Sequence, residues 1–299
     1  MTRTASLAPH PQPTATGPDV RPLARVIAGD AASDGAGVRL TRMIGTRALD
    51  FLDPFLMLDV LHSDTPGDYI AGFPKHPHRG FETVTYLMAG RVEHRDTMGN
   101  AGVIEPGGVQ WMTAGRGLEH SEMPVQENGL LWGIQLWVNL PAAVKMQAPG
   151  YREFPADAIP EERRDDGARL RVVAGTTSRG TAGPVQGVVT DPLFLDVALS
   201  PGGTLNEPLP ADHAAFLLML EGSATVGDDA IGSTLSAGHL GVLGETGGVI
   251  ALRAGAEGAR ALLVHARRIG EPVARGGPFV MTTEAEVLQA FQDYRAGHF

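Results

Sequence analysis

The chain has 299 residues, 43% of them hydrophobic and 19% charged. That is room for two domains of ordinary size, and it excludes a wholly disordered or collagen-like chain. The formal net charge is −10, the only lysines are Lys75 and Lys145, and no Lys/Arg block occurs, so direct nucleic-acid binding is not expected. There is no cysteine. Disulfides, thiolate zinc fingers, cysteine-ligated iron–sulfur clusters and thiol nucleophiles are therefore excluded, and any metal must rely on imidazole and carboxylate ligands.

Residues 1–20 are rich in Thr, Pro and Ala, lack the apolar core of a signal peptide, and read as a flexible tail. No stretch is long and apolar enough to span a bilayer, so no membrane partner and a cytoplasmic location are expected. Residues 26–29 and 38–43 read as the first strands, with a turn at Gly35-Ala36-Gly37. Residues 48–61 hold an apolar strand flanked by acids. Residues 84–88 form a strong strand stopped at Ala89-Gly90, and 91–96 is expected to pair with it. Strands at 103–105, 109–113 and 131–139 follow, the last interrupted in its apolar run by Gln135. The Pro-, Ala- and charge-rich run 141–169 reads as a linker. A second series is expected at 170–174, 185–189, 193–199, 215–220, 223–226, 241–243, 249–252 and 261–266. Val287, Leu288, Phe291 and Tyr294 have helical spacing over 284–294, with Thr282 or Thr283 as a cap and Glu286 three residues after Thr283.

Many short strands with Gly and Pro between them imply a sandwich or barrel. The halves look like weak repeats. Tyr86-Leu87-Met88-Ala89-Gly90 parallels Leu218-Met219-Leu220-Glu221-Gly222, and Glu105-Pro106-Gly107-Gly108 parallels Leu235-Ser236-Ala237-Gly238. Two β-barrels from one duplicated unit is the natural reading.

The informative stretch is 72–124. His76-Pro77-His78 and His120-Ser121-Glu122 each place two ligand types two residues apart, on one face of a strand. If those strands are neighbours, three imidazoles and a carboxylate converge. Such a mixed N/O set leaves two positions of an octahedron open and suits Fe(II), Mn(II), Ni(II) or Cu(II). Pro77 cannot donate to a ladder, so its strand should be an edge or bulged.

The run Phe73-Pro74-Lys75-His76-Pro77-His78-Arg79-Gly80-Phe81-Glu82-Thr83-Val84-Thr85-Tyr86-Leu87 resembles the hallmark of the pirin family. So do Gln110-Trp111-Met112-Thr113-Ala114-Gly115-Arg116-Gly117, His120-Ser121-Glu122-Met123-Pro124, Gln135-Leu136-Trp137-Val138-Asn139-Leu140 and Gly277-Pro278-Phe279-Val280-Met281. The resemblance covers the chain from about residue 22. It implies an all-β double cupin with a short C-terminal helix: a metal-binding cupin over 21–145, and a degenerate cupin with a helical C-terminal segment over 146–299. It implies one divalent metal on His76, His78, His120 and Glu122, with Fe(II) first and Mn, Ni, Cu or Zn as alternatives. It also implies that the C-terminal segment packs back across the first cupin. Trp111 stands where ordinary cupins carry their third histidine, and His120 takes that part here.

The second half offers only His213, His239 and His265, scattered and without a carboxylate pair, and is expected to be structural. His62 and His94 are candidate pocket histidines, with a hydrogen-bonded strand or loop histidine the commoner fate. Glu82 could support His78 or sit at the surface. Arg79 and Arg116 could hold a substrate oxygen or, more commonly, a salt bridge. Trp111, Trp132 and Trp137 read as core. Two functions follow from the resemblance. The first is a quercetin 2,3-dioxygenase-type enzyme acting on a small aromatic or enediol substrate with dioxygen, with Glu122 as base and Phe73, Met88 and Met112 as walls. The second is a metal-dependent regulator with a protein partner.

Overall fold

The computed structural model describes residues 19–228 and 232–299. Residues 1–18 of the expected tail lie outside them. Val20, at the tail's end, bridges to Val249. The first half holds β1 (Leu23–Ile27), β2 (Asp30–Asp34), β3 (Val38–Ile44), β4 (Phe55–Ser63), β5 (Phe73–His78), β6 (Phe81–Ala89), β7 (Val92–Asp96), β8 (Ala101–Ile104), β9 (Val109–Thr113), β10 (Leu118–Pro124), β11 (Leu131–Asn139) and β12 (Gly150–Phe154). The second holds β13 (Glu161–Arg163), β14 (Ala168–Ala174), β15 (Leu193–Leu199), β16 (Thr204–Pro208), β17 (His213–Val226), β18 (Ser233–Ser236), β19 (Leu240–Leu243), β20 (Val249–Arg267), β21 (Ala274–Gly276), β22 (Phe279–Met281) and α1 (Glu284–Arg295). The fold is the expected all-β double cupin, built as jelly-roll sandwiches with open sheets instead of closed barrels.

In the first cupin a sheet ordered β12-β9-β6-β11-β4-β3-β2 faces a smaller one ordered β5-β10-β7-β8. The second cupin is one sheet, β1-β19-β17-β20-β15-β14-β13, with β16 on β20 and β18 on β17. Its strands β17 and β20 run for 14 and 19 residues, and bulges at Met219/Glu221 and Gly222/Ala224 bend β17. Strand β1 pairs with β19, so the first described strand belongs to the second cupin. Strand β12, inside the expected linker, pairs with β9 and extends the large first sheet.

The large sheet of the first cupin packs face to face on the second. Val84, Tyr86, Trp111, Ile134 and Leu136 from one side meet Phe194, Phe216, Leu218, Leu262 and Val264 from the other in a single buried cluster. Phe55 meets Phe216 edge-on at 4.9 Å between centroids. A polar network crosses this interface: the Tyr86 hydroxyl donates to Asp196 at 2.7 Å, and Arg260 donates to both Asp196 oxygens at 3.1 and 2.8 Å.

Several strand readings need correction. Strand β7 pairs with β10 and β8, not with β6, because the turn at Gly90 carries the chain from one sheet of the sandwich to the facing one. Residues 185–189 form no strand; Val185 makes a lone bridge to Ala174. Residues 215–220 and 223–226 are one strand, as are 249–252 and 261–266. The internal repeat is real, but its second motif is offset by one residue. Gly107 donates to the Leu87 carbonyl at 2.7 Å, and its counterpart Gly238, not Ala237, donates to Met219 at 2.9 Å. Both glycines have φ near 80°. The C-terminal helix carries the expected capping box of Thr283 and Glu286.

Phe216 is 1% exposed in the middle of the inter-sheet cluster. Phe216→Ala should lower the free energy of unfolding by about 3–5 kcal/mol, read by urea denaturation, because the cavity has rigid sheets on both sides.

Candidate metal centre

Strands β5 and β10 bring the three predicted histidines together. They pair antiparallel with His120 opposite His76 and Leu118 opposite His78. Strand β5 is the edge of its sheet, as Pro77 requires. The register slips between His120 and Glu122, where β5 spends an extra residue near Pro74. His76 Nε2 stands 3.0 Å from His78 Nε2 and 3.1 Å from His120 Nε2. His78 and His120 are buried and His76 is half-buried, on the pocket side.

The donor set fits a metal ion. His76 Nδ1 lies 2.8 Å from the Pro74 carbonyl, which can only accept, so Nδ1 carries the proton and Nε2 presents a lone pair to the other two rings. One lone pair cannot serve two N–H donors along one direction, whereas a divalent cation takes all three nitrogens. Burial, and then the neighbouring imidazoles, hold His78 and His120 well below the ordinary histidine range, so both are neutral and able to ligate at pH 7. Ligands at bond lengths of about 2.1 Å stand about 3.0 Å apart when adjacent and about 4.2 Å apart when opposite. The imidazole spacings match the first value. A Glu122 carboxylate oxygen lies 3.9 Å from His120 Nε2, but Glu122 stands outside the group formed by the three histidines, whose ligand atoms all lie within 4.8 Å of one another.

Glu122 is aimed by two groups. Thr85 on β6 donates its hydroxyl to Oε1 at 2.8 Å, and Gln135 on β11 donates from Nε2 to Oε2 at 2.6 Å. His120 is aimed through Nδ1, 3.1 Å from the Tyr151 hydroxyl on β12. Over His76 and His78 opens a pocket of about 640 Å³, walled in part by Phe73, Met57, Trp137 and Pro278. The Trp137 ring lies 5.2 Å from that of His78. A smaller apolar cavity reaches Glu122 past Tyr69, Leu87 and Leu131.

The C-terminal segment closes over this end of the cupin. Val280 donates its N–H to the Arg79 carbonyl at 3.0 Å. The buried Lys145 ammonium donates to Gly80 O, Asn139 Oδ1 and Val280 O at 2.8, 2.6 and 3.0 Å. Burial draws the Lys145 pKa down to about 8, which still leaves it charged at neutral pH. Gly80 must be glycine: at φ 90° a Cβ would sit 2.0 Å from the Val280 carbonyl oxygen. From α1, Asp293 pairs with Arg79 at 2.6 Å and Tyr294 donates to Glu119 at 2.9 Å.

A model described as "Pirin" matches residues 37–138, and one described as "Pirin C-terminal cupin domain" matches residues 194–299. A "Pirin-like protein" of Caulobacter vibrioides is 51% identical over 280 residues, covering 94% of this chain and 99% of that one. The chain belongs to the pirin family. A "Putative quercetin 2,3-dioxygenase" of Pseudomonas aeruginosa is 46% identical, over 90% of this chain and 94% of its own. The crystal structure of a quercetin 2,3-dioxygenase from Acinetobacter baumannii superposes with a TM-score of 0.83 at 32% identity, covering 94% and 98% of the two chains.

The other candidate residues divide. Phe73 does line the pocket. Met88 packs instead toward the inter-sheet core, and Met112 is buried with Ala114 and Leu118. Glu82 is buried and accepts from Thr113 at 2.6 Å, with burial raising its pKa, and forms no hydrogen bond to a ligand histidine. His94 is stacked 5.4 Å from Tyr151 and contacts Glu153; His62 lies exposed against Trp132. Arg79 serves the strap, and Arg116 is exposed. Of the tryptophans, Trp111 and Trp137 are core as expected, Trp137 also walling the pocket, while Trp132 is only partly buried, against His62. Thr85, Gln135 and Tyr151 were not anticipated. The signal for Gln135 was visible as the polar interruption of an apolar strand. Tyr151 carried none, since β12 lay in the expected linker.

In the second cupin His213 and His265 are not scattered: their Nδ1 atoms lie 2.8 Å apart, buried, beside Arg21. His239 lies apart, near the Ala237 carbonyl. Burial and then His213 push His265 down to about 3. His78, His120 and His265 thus all refuse protons that the unfolded chain accepts near pH 6.5. Folded pKa values below the unfolded one mean that the unfolded state binds more protons in that window, so stability falls as pH drops below about 6.5. Metal-free protein should lose urea stability between pH 6.5 and 5 at up to about 1.4 kcal/mol per pH unit per histidine. In His265→Gln that slope should be shallower.

Proposed function

We propose that the protein is a dioxygenase of the quercetin 2,3-dioxygenase type with one divalent metal, Fe(II) in the first place, on His76, His78, His120 and Glu122. The observation that carries this is the convergence of the ring nitrogens of His76, His78 and His120, with His76 and His78 lining a 640 Å³ pocket that has aromatic walls. Names of relatives and of a structural neighbour point the same way. Mn, Ni, Cu or Zn would satisfy the same donors.

The metal, when bound, would supply Lewis acidity to lower the pKa of a flavonol-like hydroxyl and a site for dioxygen beside it. The remaining work falls to side chains. His76, His78 and His120 would fix the ion, the last held by Tyr151. Glu122 would take the substrate hydroxyl proton, and the Gln135 amide and Thr85 hydroxyl would keep its oxygens turned inward. Phe73 and Trp137 would hold a flat ring against the ligand histidines. The alternative of a regulator that reads the metal through an exposed surface has less behind it, because His76 and His78 look into a formed pocket.

Anaerobic reconstitution with Fe, Mn, Ni or Cu, followed by aerobic quercetin, should give turnover with release of carbon monoxide. A fully loaded protein inactive with all four metals overturns the dioxygenase reading. His78→Ala and His120→Ala should each abolish tight metal binding while the far-ultraviolet circular dichroism stays that of a folded β-protein. Stoichiometric metal in either variant overturns the ligand assignment.

A further inference from the structure

The pocket holds a cation that the proposed chemistry leaves unused. Two guanidinium groups, Arg42 and Arg275, line it together with His76 and His78. The charge of Arg42 is committed: it donates to both Asp59 oxygens at 2.8 and 2.7 Å and to Asp34 at 2.8 Å. Arg275 has no such partner among the described residues. Its Nη1 donates only to the Leu56 carbonyl at 3.2 Å, and the guanidinium lies over the Trp137 ring at 5.5 Å. The Trp137 ring in turn stands 5.2 Å from His78. Cation, indole and ligand histidine therefore form one wall, short enough for a single flat ligand to span.

This charge does not follow from overall composition, since the chain carries −10. The carboxylates of Asp50, Asp59 and Asp34 act on Arg275 only through space, with no direct ion pair to it, so a neutral polyphenol that displaced water from the pocket would leave the guanidinium without a contacting anion, a cost that a substrate carboxylate removes. Resting on the metal-dependent reading above, we infer that Arg275 is a specificity residue and that the substrate is an aromatic hydroxy acid. Its chelating oxygens would face the histidines, its ring would lie along Trp137, and its carboxylate would meet Arg275.

The test uses binding, not turnover, so that it stands apart from the dioxygenase reading. Nickel-loaded protein, chosen because nickel suits N/O ligands, is titrated anaerobically in a calorimeter with 3,4-dihydroxybenzoate and with its neutral isostere 3,4-dihydroxybenzamide. The acid should bind about tenfold more tightly, the size expected of one charge-assisted hydrogen-bonded pair. Arg275→Gln should bring the two affinities together, and Arg275→Lys should keep part of the preference, with nickel content confirming a folded site in each. Equal affinities in the unaltered protein, failure to bind either compound, or a preference that survives Arg275→Gln would overturn the inference. A preference for the acid without quercetin turnover would count against the dioxygenase reading alone.

Discussion

The whole arrangement depends on one sheet that is buried on both faces. In β6 and β11, alternate residues point to opposite sides. Val84, Tyr86, Ile134 and Leu136 face the second cupin, and Thr85 and Gln135 face inward to Glu122. Burial of one face fixes the register of these strands, since a slip of one residue would turn apolar side chains onto the carboxylate and polar ones into the dry interface. The second cupin thus acts on the site without touching it: it holds the sheet that aims Glu122.

The ligand strands are under a different constraint. Strand β5 contains Pro74 and Pro77 and can pair on one side only. Its free side is covered by the C-terminal segment, through the Arg79–Val280 bridge, the Lys145 ammonium and α1. The side chains that anchor α1, Arg79 and Glu119, sit immediately beside His78 and His120 in sequence, so alternation gives the ligands to the interior and their neighbours to the strap. The first strand and the last helix therefore each belong to the half of the molecule opposite to their place in the chain.

The second cupin shows what the same frame becomes without a cluster of metal-ligating residues. Its interior is filled by Leu170, Val172, Leu195, Leu217, Met219 and Leu263. Its buried polar groups include the ion-paired Arg164, Glu162 and Glu207 and the His213–His265 pair, where the neighbouring Arg21 guanidinium makes the place unsuitable for a cation.

The sequence by itself determined the strand series, the duplicated unit, the capped helix and the spacing of the four candidate ligands, because these rest on periods of two and 3.6 and on turn residues, all local properties. Tertiary structure decided everything that depends on which strands become neighbours. It set β7 against β10 instead of β6, sent β1 to β19, and drew β12 out of an apparent linker to bring Tyr151 to His120. It also joined Arg275 and Trp137 in one pocket wall from residues 138 positions apart. A strand's own sequence fixes which side chains share a face, but the partner that the face meets is chosen by burial over the whole molecule.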